Sequence, residues 1–290
     1  MRKLLVWCLL LPAAGYSQSK FSLNLFGGFS SYQGDLQDKR FTLDQSNLAI
    51  GAGLQYDFTP NLAVRLGFVY GKLEADDKQN SGLRRLRNLN FQTSLFETHL
   101  LMQYTLFDLS EKRISPYVFG GAALFHFNPY THDLNGNKYY LKPLSTEGQG
   151  IIAGRDEYSL TQFAIPFGVG VKFQVSEKVG LGFEVGLRKT FTDYIDDVST
   201  TYVDQFQLAA AKGPMGTKAV ELAYRGDELK EGNPVYPDAG TVRGGSKQKD
   251  WYYFTGLTLS IRLGSGNGGG SSYSGWNGRR SRLGCPPVRQ

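Results

Sequence analysis

Cysteine is scarce, with two in 290 residues, and one of them lies in a segment destined for removal. Residues 1–17 open with Arg2 and Lys3, run through the apolar stretch Leu4 to Leu11, and end in Ala13, Ala14, Gly15 and Ser17. That order reads as a secretory signal peptide cut near Ser17 or Gln18. Cys8 sits inside its apolar core without the small residues expected before a lipoprotein cysteine, so lipidation there is not expected. Removal leaves Cys285 alone, which suggests an intermolecular disulfide or a free thiol.

Long hydrophobic runs are absent as well. A membrane helix needs about 20 apolar residues, and neither the signal core nor any later segment supplies them. The mature chain is then either soluble and exported or a membrane barrel, because only helices and closed barrels satisfy their backbone in lipid. Histidine is limited to His99, His126 and His132, none at metal-ligand spacing with another candidate ligand. No catalytic residue, cofactor or metal is assigned. Of the formal charge of +6, two units leave with Arg2 and Lys3, and no basic run is dense enough to argue for nucleic acid.

What is abundant points to the barrel. The chain holds 36 Gly, 17 Tyr and 19 Phe, and aromatic girdles and lumen glycines consume those residues. Val179 to Phe191 carries the clearest pattern. Val179, Leu181, Phe183, Val185, Leu187 and Phe191 share one parity, and Gly180, Gly182, Glu184, Gly186, Arg188 and Thr190 the other. Period two is the mark of a strand with one apolar face. Glycine beside paired charges on the opposite face suits a narrow lumen, and a slip of one residue would push Arg188 into lipid at about 2–4 kcal/mol.

The same alternation recurs from Phe21, from Leu48 to Phe58, from Leu62 to Gly71, from Phe91 to Phe107, from Ser159 to Gln174 and from Trp251 to Leu263. Tyr117, Phe119, Ala123, Phe125 and Phe127 mark a further strand. Pro166 falls on the inward parity of its strand and predicts a bulge or bend. The result is an all-β fold, an eight-stranded antiparallel outer-membrane β-barrel over residues 18–264, with both ends on the periplasmic side. Three short connections alternate with long polar loops expected outside the cell, and the segment from Thr192 to Asp250 is long enough to be functional, partly structured or mobile.

Inward parity collects Arg65, Glu97, Lys172, Glu184, Arg188 and Arg262, charges of both signs that would fill a lumen as narrow as eight strands make it. An unpaired buried charge is costly, so pairing and a closed lumen are expected. Arg84, Arg85 and Arg87 read as a solvated loop, with contact to lipopolysaccharide phosphate as the rival. Asp193, Asp196 and Asp197 read as turn-capping carboxylates, with calcium as the rival. Residues 265–290 begin as a Gly/Ser/Asn linker and form a flexible periplasmic tail. Trp276, Arg279, Arg280, Arg282 and Cys285 make it either a disordered end or a docking peptide for a periplasmic partner.

The stretch Gly182 to Asp204 resembles the PorG family, the outer-membrane barrel components of the type IX secretion apparatus of Bacteroidota. Ser31 to Leu36, Arg87 to Phe91, Ser115 to Gly121, Thr146 to Gly150 and Cys285-Pro286 carry further similarity. The resemblance implies an outer-membrane protein, in contact with lipid, that holds a periplasmic ring of a PorK-like lipoprotein and its PorN-like partner. It also implies a need for the protein in secretion of C-terminally tagged cargo, and in gliding for some members. Residues 207–245 have no match in that resemblance. The competing reading of the residues is a stand-alone porin or adhesin whose large external loop binds solute or a surface ligand.

Overall fold

The computed structural model describes residues 20–37, 44–109 and 111–263. Residues 1–19 and 264–290, with the expected signal peptide and with Trp276, Arg279, Arg280, Arg282 and Cys285 of the expected tail, lie outside the described residues. Eight long strands form the wall: β1 (Phe21–Gln33), β2 (Asn47–Asp57), β3 (Leu62–Asp76), β4 (Asn90–Thr105), β5 (Ile114–His126), β8 (Thr161–Gln174), β9 (Val179–Thr190) and β10 (Trp251–Arg262). Each pairs antiparallel with its neighbours. A short hairpin, β6 (Tyr130–His132) with β7 (Lys138–Tyr140), stands above β4. Pairing of β1 with β10, from Ser22↔Arg262 to Gln33↔Trp251, closes the sheet and removes its edges.

Alternation decides which face each side chain takes. Leu48, Ile50, Phe68, Phe96, Leu100, Met102, Phe163, Val169, Phe183 and Leu257 are exposed around the outside, a belt of hydrocarbon that only lipid solvates well. The chain is a transmembrane β-barrel of the bacterial outer-membrane type. Among the described residues no helix is long and apolar enough to cross a membrane. In β5 the aromatic parity is the interior one. Tyr117, Phe119 and Phe125 are buried in the lumen, while Val118 and Leu124 face out.

Pro166 produces a gap rather than a bulge. Pairing of β5 with β8 runs from Ile114↔Phe173 to Gly120↔Phe167 and resumes at Ala123↔Ala164 in the same register. The missing proline donor breaks the ladder locally, and the strands on either side hold it in line.

Short connections share the periplasmic end. In the β2–β3 turn Thr59 Oγ1 accepts from the amides of Asn61 and Leu62 at 3.3 and 3.0 Å. At the other end the loops fold together into a cap. The segment between β9 and β10 contains α2 (Gln205–Lys212) and α3 (Gly216–Ala223), and Asp204 caps α2 by accepting from the Gln207 amide at 2.8 Å. Leu208, Ala219, Leu222 and Ala223 are buried against Leu36, Leu89, Leu141, Leu144, Ile195 and Val198, contributed by every long loop. The cap therefore has an apolar core, continuous with the upper lumen through ring contacts that run Phe254, Tyr252, Phe125, Phe127, Tyr158, Tyr194.

Candidate functional site: a filled lumen beneath a folded cap

Two ion-pair tiers occupy the lumen. In the upper tier Glu97, from β4, accepts from Arg188 Nε at 3.0 Å and Nη2 at 3.1 Å, and from the Tyr252 hydroxyl at 2.9 Å. His99 Nδ1 lies 2.8 Å from the same carboxylate. Arg188 also donates to the Gly186 carbonyl at 2.6 Å and lies 4.5 Å from the Phe254 ring centroid. Both charges are fully buried, and the carboxylate has a partner on each oxygen.

In the lower tier Arg65, from β3, donates to Glu184 of β9 at 2.9 Å, and Tyr117 donates to the same oxygen at 2.8 Å. The guanidinium carbon lies 5.2 Å from the Phe119 ring centroid. Gly170 makes the room, since a Cβ there would stand 2.3 Å from the Tyr117 ring. Lys172 lies below, donating to Gln55 Oε1 at 3.3 Å and facing the Tyr117 ring at 5.2 Å. Between the tiers a cavity of about 30 Å³ touches Arg65, Glu184, His99 and Thr258. That is room for about one water molecule.

Arg262 stands apart from this network. Inward parity puts it with the others, but it is the last residue of β10 and exposed at the periplasmic rim, where its amide donates to the Lys178 carbonyl at 2.8 Å. Tyr117 and Tyr252 were missed as partners for the carboxylates. Their inward parity is readable from sequence, but nothing there says that a phenol rather than a second arginine completes each tier.

The cap holds its charges differently. Glu147 accepts from the amides of Ser199 and Thr200, each at 2.9 Å, and from Arg243 Nη1 at 3.0 Å. Arg243 also donates to the Asp197 and Ala223 carbonyls, at 2.6 and 3.1 Å, and so ties the far end of the long loop to its beginning and to α3. Asp197 takes hydroxyls from Thr146 and, at 2.7 Å, Tyr158. Burial nevertheless pushes its carboxyl up to about 6, with Arg243 opposing. Asp193 accepts from the Ser199 hydroxyl at 2.7 Å, and burial pushes it up to about 7. Asp196 accepts from the Val198 amide at 2.9 Å. These acids thus cap turns and hydroxyls. Among the described residues no three such groups are placed to hold a metal ion.

Of the three clustered arginines, Arg87 is committed inward, gripping Asp77 at 2.7 and 2.8 Å, while Arg85 is exposed. His126 lies at the outer rim, its Nδ1 2.9 Å from the Thr161 hydroxyl. Glu147, Arg243 and the partners of Asp197 escape sequence reasoning because they come from loops with no fixed period.

Among solved structures the chain is similar to Neisserial surface protein A at 9% identity, covering 84% of this chain and 98% of that one, with a TM-score of 0.43. It is similar to Ail, the attachment invasion locus protein of Yersinia pestis, at 8% identity over 85% and 100% of the two chains, TM-score 0.40. The outer membrane protein OprG of Pseudomonas aeruginosa aligns at 11% identity over 85% and 98%, TM-score 0.39. At these identities and scores no ligand or activity carries across. None of the curated proteins matches the chain. Residues 2–210 match the family described as "Domain of unknown function (DUF6089)", and the chain belongs to that family.

Proposed function

We propose that this barrel is an anchoring subunit of the type IX secretion machinery. It holds a periplasmic ring of PorK-like lipoprotein and PorN-like partner to the outer membrane, and does not conduct cargo or solute itself. The observation that carries the anchoring part is the two-tier plug: Arg65–Glu184 at 2.9 Å below and Arg188–Glu97 at 3.0 Å above, under a cap with its own core. A lumen so filled leaves the periplasmic turns and the tail as the surfaces through which the barrel works. The secretion assignment rests on the sequence resemblance at Gly182 to Asp204 and its companion stretches.

The decisive experiment is purification in detergent with and without residues 265–290. Recovery of the ring lipoprotein with the full chain and its loss with the truncated one supports the anchor. Equal recovery of nothing from both overturns it. Non-reducing electrophoresis of membranes from wild type and Cys285→Ser adds the covalent question: a high-mass species that needs Cys285 marks a disulfide to the partner.

The porin form of the rival reading has the plug against it, whereas an adhesin form has one observation in its favour. Phe206, Val235 and Val242 are exposed on the folded cap, where neither lipid nor the barrel covers them. Loss of cell-surface ligand binding on cap substitution, with the ring absent from every purification, is the outcome that favours it.

A further inference from the structure

Three segments far apart in sequence meet where the cap joins the barrel. The Tyr32 hydroxyl, at the outer end of β1, lies 2.5 Å from Asp196 Oδ2 and 3.0 Å from Asp250 Oδ1. The other oxygens are taken by backbone: Asp196 Oδ1 accepts from the Val198 amide and Asp250 Oδ2 from the Ile195 amide, both at 2.9 Å. All three side chains are buried. Gly34 keeps the space open, because a Cβ there would stand 2.0 Å from both the phenol oxygen and Asp250 Oδ1.

The hydrogen count is short. A phenol carries one hydrogen, yet two carboxylate oxygens lie within bonding distance of it. Both contacts are attractive only if one carboxyl brings a proton of its own. The surrounding charges point the same way. Asp35 and Asp193 add negative charge beside the pair, and Asp193 Oδ1 is buried with no hydrogen-bond partner. Among the described residues the cations named beside this part of the cap are committed elsewhere: Arg243 to Glu147 and to the Asp197 carbonyl, Arg87 to Asp77, and Lys249 to the Ser246 carbonyl. Tyr158 donates to Asp197, not to this pair.

We infer that Tyr32, Asp196 and Asp250 form a proton-holding latch that fastens the extracellular cap to the barrel and releases it as pH rises. With the proton in place, Asp196, Asp250 and the phenol form one neutral-plus-one-anion unit with every contact satisfied. Without it, two buried anions face a single hydrogen. Burial, then repulsion from Asp250, raises the Asp196 carboxyl well above the ordinary carboxylate range; burial, then Asp193, does the same for Asp250. The sign follows. A carboxyl that binds its proton more tightly in the closed state favours closure at low pH and loses that contribution as pH climbs toward its closed-state value.

The test is amide hydrogen exchange on the full chain in detergent micelles across pH, with protection factors normalised to an unstructured peptide. At Ile195 and Val198, whose amides cap the two carboxylates, protection should fall about tenfold per pH unit through the release range while β3 and β4 amides hold steady. Asp196→Asn supplies the missing hydrogen permanently, because its amide donates to the phenol, which then gives its own hydrogen to Asp250. Protection in that variant should be flat with pH above about 7, where Asp193 and Asp197 have already lost their protons. Asp250→Asn is the second variant should the first not fold, with folding of each judged by heat-modifiable migration on gels. Asp193→Asn should retain the wild-type slope. A flat wild-type profile, an unchanged slope in the folded Asp196→Asn or Asp250→Asn protein, or loss of the slope in Asp193→Asn each overturns the latch.

Discussion

The lumen and the cap both bury charges and treat them in opposite ways. In the lumen Glu97 and Glu184 each meet an arginine, with one tyrosine completing the shell. In the cap Glu147 meets Arg243, and Asp193, Asp196, Asp197 and Asp250 are held mainly by backbone amides, hydroxyls and phenols. The rigid wall explains the difference. Strand register fixes which inward positions face one another, so opposite charges meet directly. Loops have backbone amides to spare, and carboxylates become the acceptors that satisfy them. The lumen is consequently a plug in which each carboxylate meets an arginine, while the cap gathers carboxylates that have hydroxyls and amides for partners and responds to protons.

The comparison breaks hardest if one member of a lumen pair is removed. Glu97→Leu leaves Arg188 buried without a counter-charge, and the barrel should lose about 3–5 kcal/mol, read as a lower urea midpoint for heat-modifiable migration. Arg243→Met should cost the cap about 3 kcal/mol by stranding Glu147, with exchange protection lost across Ser199 and Thr200 while the barrel's urea midpoint is unchanged. If the barrel midpoint moves equally, the two regions are not separable. Tyr117→Phe deletes one hydrogen bond to a charged group and should cost the barrel about 1.5–3 kcal/mol by the same gel assay.

Acidity sharpens the contrast further. Asp193 and Asp197 bind protons more tightly folded than unfolded, so their contribution to cap stability is complete below about pH 4. It drains away as pH rises to about 6 for Asp197 and about 7 for Asp193. Thermal unfolding of the cap, followed by near-ultraviolet circular dichroism, should drop over that range. The smallest effect is expected at the surface: Lys142→Ala, which breaks a partly exposed pair with Glu157 at 3.7 Å, should shift stability by less than about 1 kcal/mol.

Much of the barrel is readable from residues alone because period two is a strong constraint. Glu184 and Arg188 have to be inward once Leu181, Phe183 and Leu187 are outward. Parity does not say how far along the strand the lumen extends, which is why Arg262 shares it and still ends in solvent. Nor does parity name partners, since Arg65 and Glu184 are 119 residues apart and meet only because the sheet closes. Phe119 and Phe125 show the pattern's other limit, for a lumen packed with rings buries aromatics as readily as the bilayer does. The cap was least readable. Its helices α2 and α3 lie in a segment with no match in the resemblance, and their stability comes from contacts to Leu36, Leu141 and Ile195 in other loops. Asp204, three residues ahead of the amide it caps, was the local sign available.

The seam between β1 and β10 has a consequence for biogenesis. The first and last strands of the wall are neighbours, bonded down to the Leu263 amide and the Phe21 carbonyl at 2.8 Å. A nascent chain that has not yet released Trp251 onward has two raw edges and nowhere in lipid to leave them. A product truncated ahead of that strand would lack the partner that closes β1 and could not seal its edges in lipid.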